Sequence, residues 1–313
     1  MKKTLIALLL TLGAGMASAD SNVITLWPEG VPGAKAIGPE KIGGGYNSNV
    51  TDASLTRIGP AVDRPNGTAV IICPGGGYLR MSTAREGEQY GNWLSTLGVT
   101  AYVLKYRMQE YGHPAPLQDV LRAVRTLRSR AAELGIDPAR IGVMGSSAGG
   151  HLAASAGTLF DHPLGRTGAP LDATSARPDF LMLMYPVITM KDPATHAGSR
   201  KALLGANPSP AAIELMSLEN QVTSATPPTL LIHTQEDQAV PVENSIVFYQ
   251  ALTRAKVPAE MYLFEHGSHG MGMRDGLGTT SLWPRRAEEW LRERGLLTPV
   301  SYTHLTLPTK RIV

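Results

Sequence analysis

The 313-residue chain contains a single cysteine, Cys73. An internal disulfide is therefore excluded, and with it any metal centre built on clustered thiolates. Cys73 closes the apolar run "TAVIIC" and reads as a buried, inert thiol. The chain also lacks an H-E-x-x-H pattern, a cysteine–histidine cluster, and any G-K-[ST] or G-x-G-x-x-G spacing. No metal, nucleotide or organic cofactor is expected on those grounds. Repeats, heptads and low-complexity tracts are absent too, which removes solenoids, coiled coils and flexible linkers.

Long apolar runs are scarce. The stretch Leu5–Leu12 follows Lys2 and Lys3 and precedes "ASA" at Ala17–Ala19. It has the layout of a secretory leader and is too short for a membrane span. No cysteine follows it to accept a lipid. Residues 1–19 are therefore expected to be a signal peptide, with the mature chain starting near Asp20 in a periplasm or outside the cell, unanchored. At the far end, "VSYTHLTLPTKRIV" has neither helical nor strand periodicity. Its first six residues resemble a translated transposase adapter, so 300–313 is read as a non-native tail.

Excess charge of either sign is missing as well. The chain has 29 Lys and Arg against 26 Asp and Glu, but Lys2, Lys3, Lys310 and Arg311 lie in the excluded ends. Taking those four from the 29 leaves 25 cations against 26 anions, a net charge of −1. That balance gives no basis for binding nucleic acid.

What remains, residues 20–299, suits one large domain. Strands are expected at Thr68–Cys73, Val99–Tyr106, Arg140–Met144, Phe180–Tyr185, Thr229–Thr234 and Glu260–Phe264. Most are continuously apolar, as when both sheet faces are covered. Between the second and third, Leu117, Val120, Leu121, Val124, Leu127, Ala131 and Leu134 recur at helical spacing, with arginines on the other face and Gly135 as a stop. Alternation of this kind predicts a mostly parallel central sheet with helices on both faces. Ala53–Ile58 is expected to add an antiparallel edge. Residues 187–228 read as an inserted wall or lid.

Ligands of such sheets bind at the carboxyl ends of the strands, where four features of this sequence fall. The first predicted strand ends in "CPGGGY", whose glycines let backbone amides approach a developing negative charge. The third runs into "GSSAGG". Gly145, Ser147 and Gly149 have the spacing of a strained strand–turn–helix that exposes a serine. The same residues would also serve as a Ser/Gly turn capping a helix. The fifth ends in "HTQEDQAVP" and the last in "EHGSHGMG". A serine needs an imidazole as base, and the imidazole needs a carboxylate to fix its tautomer. The order of these features is Ser, acid, His. Asp237 is the favoured acid, Glu236 its rival. His269, between glycines, is the favoured base, His266 its rival. His151 and His233 read as packing residues.

At these blocks the sequence resembles the secreted bacterial α/β-hydrolases termed acetyl-xylan esterases or xylanase-B-like esterases, relatives of the hormone-sensitive-lipase type. "VIICPGGGY", "IDPARIGVMGSSAGGHLAA", "TPPTLLIHTQEDQAVPVENS" and "GSHGMGM" carry the likeness, which extends from about Trp27 to Leu297. The resemblance implies an α/β-hydrolase fold and a catalytic set of Ser147, Asp237 and His269. "PGGG" stands where lipases of this type have "HGGG", so Gly76 and Gly77, with Ala148, would supply the oxyanion amides. It further implies removal of acetyl or other small acyl groups from plant-wall saccharides. Ser146 takes the place of a bulkier residue and would reshape the pocket. Tyr78 and the short 187–228 insertion predict a shallow one.

Overall fold

The computed structural model describes residues 22–61 and 65–298. The leader and tail assigned above, 1–19 and 300–313, lie outside the described residues. Ten strands are described: β1 (Val23–Thr25), β2 (Lys41–Gly43), β3 (Tyr46–Ser48), β4 (Ser54–Ile58), β5 (Ala69–Cys73), β6 (Thr100–Lys105), β7 (Ile141–Ser146), β8 (Phe180–Met184), β9 (Thr229–Thr234) and β10 (Ala259–Phe264). The helices are α1 (Gln89–Thr96), α2 (Ala115–Ser129), α3 (Ala131–Leu134), α4 (Ala148–Thr158), α5 (Ala197–Leu204), α6 (Pro210–Met216), α7 (Glu243–Arg254) and α8 (Trp283–Glu293).

Eight strands form one sheet in the order β1-β4-β6-β5-β7-β8-β9-β10. From β6 to β10 every pairing is parallel, while β4 on β6 and β1 on β4 are antiparallel. The α/β architecture and covered parallel sheet expected from the sequence are therefore present. Successive residues of each strand point to opposite faces. Ala69, Ile71 and Cys73 of β5 join one core layer with Leu121, Leu152 and Phe248 from α2, α4 and α7. Val70 and Ile72 join the other, with Leu94 of α1 and Trp283 and Trp290 of α8. Burial pushes the Cys73 thiol up, as expected of an inert one.

The N-terminal segment departs from the expectation. β4 is not the edge: β1 lies outside it, and β2 and β3 form a separate hairpin. Arg122 and Arg125 of α2 are buried. Arg122 donates to the Leu26 carbonyl and pairs with Glu29, and Arg125 pairs with Asp172. The segment before β2 covers this side of the helix. Trp27 Nε1 donates to Asp119 at 2.8 Å, and Arg107 clamps the same buried carboxylate at 2.7 Å while reaching the Pro32 carbonyl at 2.6 Å. No helix among the described residues is long and apolar enough to cross a membrane.

The strand order reverses at the centre. β5 sits between β6, which follows it in sequence, and β7, which returns to its other side. The helices of the two halves then diverge and open a crevice at the carboxyl ends of β5 and β7. Both the glycine loop and the serine turn issue there.

Candidate active site

β7 and α4 are joined by Ser147 alone, with φ 55° and ψ −122°. A side chain rarely tolerates that conformation. Hydrogen bonds hold it: Ser147 N–H donates to the Met184 carbonyl at 3.0 Å, and its own carbonyl accepts from Val187 N–H at 3.0 Å. The flanking glycines are obligatory. A Cβ added at Gly145 would lie 2.0 Å from the Gly149 carbonyl oxygen, and one at Gly149 would lie 2.0 Å from that of Cys73. The Ser147 side chain makes no cap for α4. It points instead to His269, whose Nε2 is 2.8 Å from Oγ.

His269 Nδ1 lies 2.6 Å from Asp237 Oδ2. An ionised carboxylate can only accept, so Nδ1 carries the proton and Nε2 is left to accept from the serine hydroxyl. The other carboxylate oxygen, Oδ1, accepts the Ala239 and Val240 amides, each at 2.9 Å. Burial alone would raise the Asp237 pKa. The hydrogen bonds from His233 and His269, the His269 charge and the Val240 amide outweigh it and hold the carboxyl well below the usual range. The rival residues pair with each other elsewhere. Glu236 accepts from His266 Nδ1 at 2.9 Å, both exposed, and no bond joins either to Ser147. Glu236 and His266 are thus apart from the serine.

The glycine loop faces the same serine. Gly75 N–H donates to the buried Glu86 Oε2 at 2.9 Å. The amides of Gly76, Gly77 and Ala148 donate to no acceptor among the described residues. Gly76 has φ +130°, and a Cβ there would fall 2.1 Å from the Arg80 carbonyl oxygen. These amides can therefore approach a negatively charged oxygen beside Ser147.

Several readings of neighbouring residues need correction. Ser146 does not shape the cavity: it is buried, and its hydroxyl donates to Tyr90 at 3.3 Å. Tyr78 is likewise turned inward, its hydroxyl 2.9 Å from His151 Nδ1. The cavity at Ser147, about 480 Å³, is lined instead by residues the sequence did not single out, among them Tyr46, Arg80, Arg85, Glu86 and His196. Tyr46 arrives on β3, beneath the Arg80 guanidinium at 4.0 Å. Behind the site, hydroxyls form a one-way chain. Ser146 donates to Tyr90, Tyr90 pairs with Tyr185 at 3.0 Å, and Tyr185 donates to Glu86 Oε1 at 2.8 Å. The Tyr185 ring meets His269 edge-on at 5.1 Å. Burial raises the Glu86 pKa, partly offset by the bonds from Tyr185 and Gly75 and by the nearby His269 and Arg85. Among the described residues no cluster of His, Cys, Asp and Glu could hold a metal ion.

This arrangement can accept a proton from a serine, carry the resulting imidazolium against a carboxylate, and receive an oxyanion. Comparison with known proteins points the same way. The BD-FAE family model matches residues 59–252, from the lead-in to β5 through most of α7. The chain is 41% identical over 206 residues to endo-1,4-beta-xylanase B of Butyrivibrio fibrisolvens, covering 64% of this chain and 32% of that one. It is 34% identical over 214 residues to acetylxylan esterase of Xylanibacter ruminicola, covering 67% and 42%. The chain thus spans less than half the length of these curated relatives. Among solved structures, the acetyl ester-xyloside bifunctional hydrolase from Caldicellulosiruptor lactoaceticus superposes with a TM-score of 0.79 at 39% identity, over 88% of this chain and 97% of that one. With the α/β-hydrolase sheet shared along nearly its whole length and the family model running through the glycine loop and the serine turn, the chain belongs to the BD-FAE family.

Proposed function

We propose that the protein is a carboxylic ester hydrolase that removes acetyl or other small acyl groups, with plant-wall saccharides such as xylan as the alcohol. The observation that carries this reading is the unbroken chain Ser147–His269–Asp237, at 2.8 and 2.6 Å, beside unpartnered glycine amides. Ser147 Oγ attacks the ester carbonyl carbon while His269 Nε2 takes its proton. The carbonyl oxygen becomes an oxyanion held by the amides of Gly76, Gly77 and Ala148. His269 returns the proton to the departing alkoxide, leaving an acyl-serine. A water, deprotonated by the same nitrogen, then releases the carboxylic acid. Asp237 keeps the imidazole in the tautomer that accepts and steadies its positive form.

The substrate assignment draws on the names of the esterase and xyloside-hydrolase relatives. The leader-like residues 1–19 support a place of action outside the cytoplasm, and 20–299 is the working domain. Residues 187–228 form part of the cavity wall through His196. Turnover of p-nitrophenyl acetate by purified protein, with release of acetate from acetylated xylo-oligosaccharides, is the expected result. Binding of those oligosaccharides with no turnover of any ester would instead mark a saccharide-binding protein.

A further inference from the structure

His196 sits in the 187–228 segment as the cap of α5. Its Nδ1 accepts the Ser199 backbone N–H at 3.2 Å and meets the Ser199 hydroxyl at 2.8 Å. A backbone amide can only donate, so Nδ1 is the bare nitrogen and Nε2 must carry the proton. The ring stays neutral: burial and the neighbouring His269 lower its pKa, with Asp237 only partly opposing them. The helix cap therefore selects one tautomer and leaves a single N–H to give. Nε2 has no partner among the described residues, nor is it sealed from solvent as both nitrogens of His113 are. His196 lines the same cavity as Ser147 and His269, against Gly77.

The surroundings indicate what that N–H meets. Leu79 is shared between the Ser147 cavity and a second one of about 730 Å³. Gly198, where a Cβ would come within 3.2 Å of His196 Cε1, stands on the wall of that second cavity beside Lys201 and Gln109. His196 thus marks the passage from the serine to the roomier space. In an ester with a small acyl group, the larger half is the alcohol.

We propose that His196 is a specificity-determining residue whose Nε2–H hydrogen-bonds a hydroxyl oxygen adjacent to the ester on the alcohol half, so that esters of polyols, saccharides included, are preferred over esters of simple alcohols. The inference rests on the ester-hydrolase reading of Ser147 and adds to it the feature of the alcohol that is recognised.

The test compares wild type, His196→Asn and His196→Phe on three substrates. These are p-nitrophenyl acetate, a methyl xyloside monoacetate with the neighbouring hydroxyl free, and its counterpart deoxygenated at that position. Asn keeps an oxygen to cap α5 but cannot reach the cavity, while Phe keeps the ring shape and loses both functions. Wild type is expected to favour the hydroxyl-bearing xyloside over the deoxy one by about tenfold, the worth of one hydrogen bond, mainly through KM. Both variants should bring that ratio close to one, with His196→Asn melting near wild type. A merely structural role would change all three substrates in parallel. Retention of the wild-type ratio in His196→Asn overturns the proposal, as does wild type turning over p-nitrophenyl acetate without a hydroxyl preference. If wild type hydrolyses none of the three, the ester-hydrolase reading falls and this one with it.

Discussion

His233 Nε2 lies 3.3 Å from Asp237 Oδ2, the same oxygen that receives His269 Nδ1 at 2.6 Å. The Val240 carbonyl, 3.1 Å from His233 Nε2, can only accept, so that nitrogen carries its proton, and Nδ1 accepts from the Ser245 hydroxyl at 2.8 Å. His233 is fully buried and is the satisfied packing histidine its place inside β9 implies. It also feeds a proton donor to the carboxylate that orients the proposed base.

The acid assignment is tested by neighbours. Asp237→Asn replaces an acceptor with an amide that favours the wrong imidazole tautomer, and kcat should fall by about ten-thousand-fold. Glu236→Gln, altering an exposed pair with His266, should stay within a few-fold of wild type. The reverse ranking in steady-state kinetics would reassign the acid. Because its pKa is held low, Asp237 stays ionised across ordinary assay pH.

Ser147→Ala should abolish ester turnover by about a million-fold while leaving the fold intact, as judged by circular dichroism. Ser146→Ala removes only a 3.3 Å bond to Tyr90 and should keep most activity. Survival of Ser147→Ala with loss of Ser146→Ala would move the nucleophile by one residue.

Acyl length is constrained by what surrounds the serine. The cavity holds only about 480 Å³, and Arg80, Arg85 and Glu86 on its wall set charged groups along the path a long alkyl chain would follow. Acetyl and propionyl esters should be cleaved well and octanoyl esters poorly. A kcat/KM that climbs from two to eight carbons would refute this.

Acid should destabilise the protein in two windows. His151 is fully buried between the Tyr78 hydroxyl and the Met216 carbonyl, and burial pushes its pKa from 6.5 down to about 4. The unfolded chain then binds the extra proton first, so stability is full above about 6.5 and is lost as pH falls toward about 4, by about 3 kcal/mol in total. Asp237, depressed in the fold, adds a second loss that begins only below its ordinary value, ~3.9. Denaturant titrations from pH 7 to 4 should show the first decline, to which His113, also pushed down to about 4 by burial, contributes, and His151→Gln, able to serve both partners uncharged, should make it shallower. Equal slopes for the two proteins would contradict the assignment.

Much of this was readable in the residues because the chemistry sits at strand ends. A strand covered on both faces is apolar throughout, and its end is marked by the first polar or glycine-rich turn, so "PGGG", "SSAGG", "ED" and "GSHG" were set off by contrast. Residues that act across the fold gave no such signal. Glu86 lies in "TAREGEQY", which reads as solvated helix, and is buried only because Tyr185 and the Gly75 amide close on it. His196 carries a helix-cap pattern whose second role depends on where the insertion packs. β1 to β3 have three residues each and owe their form to partners far along the chain. Periodicity sets the α2 arginines opposite the apolar face but cannot anticipate the strap before β2 that covers Arg122, or Asp172 and the Gly165 carbonyl that hold Arg125.

That strap has a consequence for the order in which the protein is built. Trp27 and the Pro32 carbonyl leave the ribosome well before their partners, Asp119 and Arg107. Roughly ninety further residues must be synthesised before the indole finds its acceptor. Arg107 and Asp119 meet through a much shorter loop and can pair first. By loop length the ion pair closes more readily than the contacts of the strap, which then acts as a latch over it.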